Sequence, residues 1–214
     1  INPVRTGYSA IADEWVPIRP GTDGALMLAL IHEIIALGLY DREFLVRNTN
    51  AGQLVNVDED HDESGLFVRT DVPDEEGCYD PQNKLWWDRV TNAPVVTHAE
   101  GADPFLHGEF RLPDGRPVKP AFQLLRDRVE RYTPEWAAGI TGIPAETIRR
   151  LAHEMGITAR DHRIELPIAW TDAWGKEHDT VTGNPVAFHA MRGLAAHSNG
   201  FQTIRTLAIL MSLL

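Results

Sequence analysis

A proline-glycine turn followed directly by a long apolar segment limits what this chain can fold into more than any other feature. The turn lies within residues 15–24, and residues 25–37 have the apolar spacing of a helix. Pro20-Gly21 predicts a tight turn, and Thr22 or Asp23 is placed to cap the helix. The free N–H groups of the first helical turn then face an acceptor, so the stretch predicts a nucleotide-binding corner.

The carboxylate of Asp23 decides which part of a nucleotide fits this corner. A carboxylate repels a phosphate, so Asp23 is better suited to accept hydrogen bonds from a guanine edge or from ribose hydroxyls. The alternative is that Asp23 only caps the helix, because such caps are common. The residues by themselves leave both interpretations open.

Charge and cysteine content exclude several kinds of partner and site. The 214 residues carry a formal net charge of −11, with a pI near 5.2, which argues against nucleic acid or an anionic membrane surface as the main partner. Cys78 is the single cysteine, so this chain alone can build neither an internal disulfide nor a cysteine-rich metal centre. The sequence starts at Ile1 and stops at Leu214 inside an apolar helical pattern, which predicts a fragment of a larger multi-domain subunit.

The segment from about 48 to 118 lacks sustained periodicity and is rich in acidic residues. Residues 58–76 hold nine carboxylates, and only 65–69 and 84–87 look like strands. This pattern predicts a long irregular insertion with solvated acidic loops. A calcium loop beginning at Asp58 is disfavoured, because its sixth position is Glu63 and its twelfth is Arg69.

Regular structure on either side of this segment predicts an α/β fold. We expect helices at 24–38, 40–46 and 120–132, one opened by Thr133-Pro134, one from Pro144 to near Gly156, and one after 200 with Phe201, Ile204, Ala208 and Met211 inward. Buried strands are expected at 163–170 and 185–191, with His189 as a core histidine. Strand, glycine turn and helix recur at both ends, which predicts a parallel, Rossmann-like dinucleotide-binding sheet flanked by helices.

Polar residues follow both predicted strand ends, where ligands bind in such sheets. One strand is expected to end at Ile1, and Asn2, Arg5 and Thr6 follow it, either as ligand contacts or as ordinary loop residues. Arg192 and His197 follow the last, and their cationic or protonatable groups suit an anionic oxo-substrate. The alternatives are an ion pair with a core carboxylate for Arg192 and a helix cap for His197. Trp170 and Trp174 fit packing better than a substrate funnel.

Three blocks in order resemble the molybdopterin oxidoreductases of the dimethyl sulfoxide reductase family. They are the run from Asn2-Pro3-Val4-Arg5-Thr6 through Ala12-Asp13-Glu14-Trp15 to residues 17–26, the sequence Thr141-Gly142-Ile143-Pro144, and the run from Arg192 to Arg205. The resemblance implies that residues 1–214 form part of the molybdopterin guanine dinucleotide-binding α/β domain of a catalytic subunit, with the irregular segment inserted at about 48–118.

The resemblance also implies roles for individual residues. Asn2, Pro3 and Arg5 lie along the ribose and phosphates of the cofactor, and Pro20, Gly21, Thr22 and Asp23 hold its guanosine end. Cofactor contacts are also implied for Gly193, Ala196 and Asn199, while Arg192 and His197 become candidates for catalysis. No metal ligand is expected within this chain.

Other segments are most similar to the quinone-linked sulfite dehydrogenases of the family. They are Trp86-Trp87, residues 164–174, residues 189–193 and residues 197–200. This implies oxidation of sulfite, a small sulfur oxyanion, by oxygen-atom transfer on a bis(molybdopterin guanine dinucleotide) molybdenum cofactor. An iron-sulfur cluster is expected in an N-terminal part outside this sequence.

The same similarity implies partners and a location. It implies that electrons pass through an iron-sulfur electron-transfer subunit to a quinone-reactive membrane anchor subunit. It also implies that these partners hold the catalytic subunit at the membrane, on the cytoplasmic side or else in the periplasm. A polysulfide, thiosulfate or tetrathionate reductase of the family and a non-catalytic α/β scaffold domain are the alternatives. A nicotinamide enzyme is disfavoured, because no G-x-G-x-x-G follows a strand.

Overall fold

The computed structural model describes residues 1–70, 84–97 and 99–214, apart from the side chain of Tyr8. Cys78 and the acidic residues at 71–76 lie outside the described residues. The chain divides into two compact units, one formed by Ile1–Asp41 with Val129–Leu214 and the other by Arg42–Arg128.

Six helices and nine short strands are described. The helices are α1 (Asp23–Ala36), α2 (Arg42–Asn48), α3 (Ala121–Val129), α4 (Pro134–Thr141), α5 (Ala145–Asp161) and α6 (Gly200–Leu213). The strands are β1 (Leu54–Asn56), β2 (Leu85–Asp88), β3 (Ala93–Val96), β4 (Phe110–Arg111), β5 (Pro117–Pro120), β6 (Ile164–Leu166), β7 (Trp170–Thr171), β8 (Glu177–His178) and β9 (Val181–Gly183). Among the described residues, no helix has the length and apolarity needed to cross a lipid bilayer.

The core of the first unit surrounds α1. Its buried residues are Leu26, Met27, Ala29, Leu30, Ile31, Ile34 and Ile35. Helices α4, α5 and α6 all pack against it. A helix that is apolar on nearly every side needs cover on more than one side, and these three helices provide it. The helix ends at Ala36, and Gly38 follows with a φ of 66°.

The predicted end of α5 near Gly156 was wrong, because the helix continues to Asp161. A Cβ at position 156 would lie 2.6 Å from the Cβ of Leu39. The glycine therefore allows Leu39 to pack directly on the helix and does not mark its end.

The predicted inward face of α6 was also wrong. The buried residues of this helix are Gly200, Thr203, Leu207, Leu210 and Leu213. The residues expected inside are exposed, with 77% of Phe201 and 54% of Met211 accessible to solvent. Both faces of α6 are apolar, so periodicity does not choose between them. Thr203 fits closely over Gly24 of α1, where a Cβ would lie 3.1 Å from the threonine Oγ1.

The predicted parallel, Rossmann-like sheet is absent from the described residues, where every strand pair is antiparallel. Strand β6 pairs with β9 and β7 with β8 in the first unit. Residues 185–191 form no strand, and His189 is exposed. The fold is therefore mixed α/β with small antiparallel sheets.

Turn chemistry explains the local antiparallel pairing of β7 with β8. The Asp172 carboxylate accepts hydrogen bonds from the backbone N–H groups of Trp174 and Lys176, both at 2.9 Å. Gly175 follows with a φ of 83°, a conformation that favours glycine. This turn joins two strands that pair with each other, whereas parallel strands need a long crossover connection.

The second unit has a core of its own. It contains the three-stranded sheet β1-β5-β4 and the hairpin β2-β3. Its buried cluster consists of Leu54, Val68, Trp87, Leu112 and Val118. Trp87 stacks on Phe110 with ring centroids 4.7 Å apart. The segment predicted as an irregular insertion at about 48–118 lies within this unit. Its strands have two to four residues, which is too short for a period of two to stand out.

Asp88 anchors the end of the β2-β3 hairpin. The residue is 2% exposed, and its side chain accepts hydrogen bonds from the backbone N–H groups of Asp103 (2.9 Å) and Thr91 (2.8 Å) and from the Thr91 hydroxyl (2.8 Å). These donors lower the pKa of Asp88 to about 2, with the Asp103 N–H contributing most.

We expect this anchor to weaken in acid. Because the folded-state pKa lies below the unfolded value, the stabilisation is complete above about pH 4 and is lost as the pH falls towards about 2. Hydrogen exchange of peptides spanning residues 85–105 should show Asp88→Asn less protected than the wild type near neutral pH, with a smaller difference in acid. The exposed carboxylate Glu100, changed to Gln, is the control. A difference that does not change with pH would contradict this account.

Candidate functional site

The predicted turn before α1 is confirmed. The Thr22 N–H donates to the Arg19 carbonyl at 3.3 Å, and Gly21 has a φ of 75°. Proline at the second position and a positive φ at the third are the pattern of a type II turn. The turn delivers the chain directly into α1.

The first turn of α1 is not capped by a side chain. Thr22 occupies the N-cap position, but its hydroxyl donates to the Arg19 carbonyl at 2.7 Å. Among the described residues, none bonds the Asp23 carboxylate or accepts from the backbone N–H groups of Asp23 and Gly24. The alternative that Asp23 serves only as a cap is therefore not supported by any capping bond among the described residues. The two backbone N–H groups and the carboxylate remain available to a ligand.

The loop before α6 lies against this turn. His197 packs on Gly21, where a Cβ would be 3.3 Å from the histidine Nδ1. Asn199, the N-cap residue of α6, makes no side-chain cap and donates from Nδ2 to the Gly21 carbonyl at 3.3 Å. The structure therefore brings together two segments that are 170 or more residues apart in sequence, and both contain predicted cofactor contacts.

Arg192, Gly193 and Ala196 lie on the exposed part of the same loop. Residues Arg192–Ala195 form one turn of 3-10 helix. No described residue gives the Arg192 guanidinium a hydrogen bond or an ion pair. The predicted alternative of an ion pair with a core carboxylate is therefore not realised within the described residues.

Asn2, Pro3 and Arg5 lie at the start of the chain, where Asn2 is held by Trp15 and Val16. The Asn2 N–H donates to the Val16 carbonyl at 3.2 Å, and the Trp15 Nε1 donates to the Asn2 carbonyl at 2.9 Å. Asn2, Thr6, Gly7 and Ile11 line an open depression of about 580 Å³. Within the described part of the chain, no hydrogen bond or ion pair joins these residues to the two loops.

The aromatic residues of the 164–174 segment lie on the β7-β8 hairpin. Trp170 stacks on His178 at 4.6 Å between centroids and donates from Nε1 to the Thr180 carbonyl at 3.0 Å. His178 in turn contacts the Asp172 carboxylate at 3.0 Å, which is the main reason that the pKa of Asp172 is lowered. Trp170 is nevertheless 45% exposed and Trp174 is 91% exposed, so neither ring is buried in a core as the packing interpretation expects. The described residues contain no group of three or more histidine, cysteine, aspartate or glutamate side chains that could hold a metal ion.

Sequence reasoning missed Arg19, whose side chain reaches the end of α4. Its Nη1 donates to the carbonyls of Gly139 at 2.9 Å and Ile140 at 3.3 Å. The available signal was an arginine directly before a proline-glycine turn, together with a glycine after a short helix.

Several curated proteins are similar to this chain. The chain is 69% identical over all 214 residues to one of the subunits of the sulfite dehydrogenase of Allochromatium vinosum, of which it covers 22%. It is 35% identical over 170 residues, 66% of the chain, to the alpha chain of the perchlorate reductase of Dechloromonas aromatica, of which it covers 18%. It is 29% identical over its whole length to the formate dehydrogenase-O major subunit of Escherichia coli, of which it covers 17%. The chain thus spans about a fifth of the length of these relatives.

Comparisons with protein-family models and with solved structures say less about the family of this chain. No protein-family model matches the chain. Among solved structures, acetylene hydratase from Pelobacter acetylenicus is similar over 99% of this chain and 16% of its own, with 20% identity and a TM-score of 0.49.

Proposed function

Because this chain belongs to the dimethyl sulfoxide reductase family of molybdopterin oxidoreductases, we propose that it forms part of the catalytic subunit of a sulfite dehydrogenase. The observation that carries the proposal is the 69% identity, along the whole chain, to a protein named as part of a sulfite dehydrogenase. Identity falls to 35% and 29% for relatives named for perchlorate and formate. A reductase of polysulfide, thiosulfate or tetrathionate is the alternative within the family, and a non-catalytic scaffold domain is the alternative outside it.

The residues of the first unit fit a nucleotide cofactor. Enzymes of this family use molybdenum held by molybdopterin. We propose the bis(molybdopterin guanine dinucleotide) form by resemblance to the family. In support of a guanine dinucleotide, the corner at α1 offers backbone donors and the Asp23 carboxylate, none of which is bonded by a described residue. A guanine edge or ribose hydroxyls would donate to that carboxylate. Pro20, Gly21 and Thr22 would hold the guanosine end with it, and Asn2, Pro3 and Arg5 would lie along the ribose and phosphates.

The loop before α6 completes the proposed site. The contacts of His197 and Asn199 with Gly21 support placing both beside the nucleotide turn. We therefore propose a nucleotide contact for His197 in addition to its candidate role in catalysis, and Arg192 as the main candidate for binding the anionic substrate. Gly193 and Ala196 lie on this loop as further cofactor contacts.

The metal, when bound, supplies the oxygen-atom transfer that converts sulfite to sulfate and takes up two electrons. This chain would contribute binding and orientation. The Arg192 guanidinium, which has no described partner, would attract an oxyanion and fix its orientation with paired N–H groups.

The relative that shares 69% identity is named as one subunit of its enzyme, so that enzyme has further subunits. By analogy we propose an iron-sulfur cluster elsewhere in the catalytic subunit, an iron-sulfur electron-transfer subunit, and a quinone-reactive membrane anchor. We propose a cytoplasmic protein held at the membrane by these partners, with the periplasm as the alternative location.

Elemental analysis of the intact native protein tests the cofactor. We expect molybdenum, with about two guanine nucleotides released by acid per metal atom, as the bis form of the cofactor requires. Sulfite oxidation with a quinone analogue is then measured against reduction of polysulfide, thiosulfate and tetrathionate. A fully folded sample with neither metal nor guanine nucleotide would contradict the cofactor proposal and favour the non-catalytic scaffold alternative.

The substrate role of Arg192 predicts a change in KM. In Arg192→Ala we expect the KM for sulfite to rise at least tenfold at full cofactor loading, because a charge-assisted hydrogen bond contributes about 1.5–3 kcal/mol. Arg163→Ala removes another exposed arginine of the same unit and should leave the KM unchanged. An unchanged KM for sulfite in a fully loaded Arg192→Ala enzyme would remove this residue from the site.

A further inference from the structure

We propose that Arg19 is a positioning residue for the cofactor, which it serves by locking the Pro20–Asp23 turn onto the end of α4. This inference rests on the proposed function, because it concerns the turn that we assign to guanosine. Arg19 itself touches no proposed ligand group. Its role would be to fix where the neighbouring carboxylate and backbone donors lie.

Three consecutive carbonyls at the end of α4 accept hydrogen bonds from Arg19. The side-chain Nη1 donates to Gly139 (2.9 Å) and Ile140 (3.3 Å), and the backbone N–H donates to Thr141 (2.9 Å). The last carbonyls of a helix have no partner within it and carry partial negative charge. A guanidinium therefore satisfies them and complements the helix dipole at the same time.

Gly142 makes room for this contact. It ends α4 in the left-handed conformation, with a φ of 77°. A Cβ at this position would lie 3.4 Å from the Arg19 Nε. Glycine thus serves both the backbone turn and the close approach of the guanidinium.

The same residue also closes the turn on its other side. The Arg19 carbonyl accepts hydrogen bonds from the N–H (3.3 Å) and the hydroxyl (2.7 Å) of Thr22. Both the start and the end of the turn are therefore fixed to one residue, and that residue is fixed to α4. Removing the side chain frees the turn to move, and a contact displaced by about 1 Å loses much of its effect.

A double-mutant cycle in the complete protein tests this role. The variants are Arg19→Ala, Arg19→Lys, Asp23→Ala and the Arg19→Ala/Asp23→Ala pair, and Arg160→Ala is the matched control. Arg160 is an exposed arginine of the same unit whose partner is its neighbour Asp161. Guanine nucleotide retained per protein after extensive dilution and desalting is measured, with hydrogen exchange over residues 19–27 as a second readout.

We expect Arg19→Ala to retain at least fivefold less nucleotide than Arg160→Ala and to exchange faster over residues 19–27. Arg19→Lys should recover part of the loss, because an ammonium can reach one carbonyl but lacks the planar fork. The double variant should be no worse than Asp23→Ala alone, since both changes act through one turn. General destabilisation would instead make the two losses multiply.

Each remaining outcome separates the inference from the proposed function. If Asp23→Ala loses nucleotide while Arg19→Ala does not, the positioning role is wrong and the guanosine site stands. Multiplying losses, or no recovery with lysine, also overturn the positioning role. If none of the variants loses nucleotide although the wild type contains it, the guanosine assignment of the turn is wrong, and the inference with it.

Discussion

Replacing Asp23 with alanine is expected to strip the protein of guanine nucleotide and, with it, of molybdenum. The Asp23 carboxylate is partly buried, has no bond to any described residue and lies at the start of α1 beside unpaired N–H groups. A charge-assisted hydrogen bond contributes about 1.5–3 kcal/mol, so losing one weakens binding by roughly 10- to 150-fold. The fold should persist, because the structure gives the carboxylate no partner to lose.

The measurement is guanine nucleotide and metal per protein, with thermal unfolding of the apoprotein as the check on folding. Asp179→Ala is the matched control, because it removes an exposed aspartate of the same unit. Asp23→Asn adds a second comparison. An amide oxygen still accepts from a donor but lacks the charge, so this variant should fall between the wild type and alanine. Unchanged nucleotide and metal content in Asp23→Ala would end the assignment.

Replacing Gly200 with alanine is expected to disrupt the loop before α6 at its base. A Cβ at this position would lie 2.2 Å from the Ala195 carbonyl oxygen and 2.6 Å from its carbon. Both are backbone atoms, so no side-chain rotation relieves the clash and residues 195–199 must move. We expect destabilisation of about 1–3 kcal/mol, as is usual for overpacking, together with loss of nucleotide as His197 and Asn199 leave Gly21.

Gly139→Ala is the control for this substitution. Gly139 lies within α4, and a Cβ there would meet nothing within 4 Å. Alanine in a helix interior is favoured over glycine by about 0.5–1 kcal/mol, so this variant should be slightly more stable and retain its nucleotide. Equal behaviour of the two variants in thermal unfolding and nucleotide content would contradict the steric argument.

Helices were predictable here where local chemistry specifies them. Thr133 caps α4 by accepting from the Trp136 N–H, and Pro134 occupies the first turn, as the sequence indicates. Strand pairing was not predictable, because an apolar run of residues does not specify which other strand it pairs with. Residues 163–170 read as a buried strand, yet β6 and β7 are exposed and pair with short strands nearby. The inward face of α6 was missed because packing of Thr203 on Gly24, rather than periodicity, selects it.

The candidate site likewise has one part that local sequence predicts and another that depends on contacts between distant segments. The turn at Pro20-Gly21 follows from residues that restrict the backbone locally. Contact between this turn and His197 depends on how α6 packs on α1, which no short stretch of sequence encodes. Arg19 escaped notice for that reason too, since its partners at the end of α4 lie about 120 residues away.

The burial of α1 by three later helices has a consequence for the order of folding. The helices that bury α1 are formed by residues 134–161 and 200–213, whereas the unit Arg42–Arg128 is formed by one continuous stretch of the chain. Ribosomes add ~5–20 residues per second, so α1 leaves them on the order of ten seconds before α6 is complete. Residue 128 is added about halfway through that interval, so the second unit then has all its own residues, whereas α1, the most apolar of the described helices, still lacks the helices that cover it. We therefore expect nascent chains to depend on chaperone protection of α1, and cofactor insertion to follow the arrival of α6.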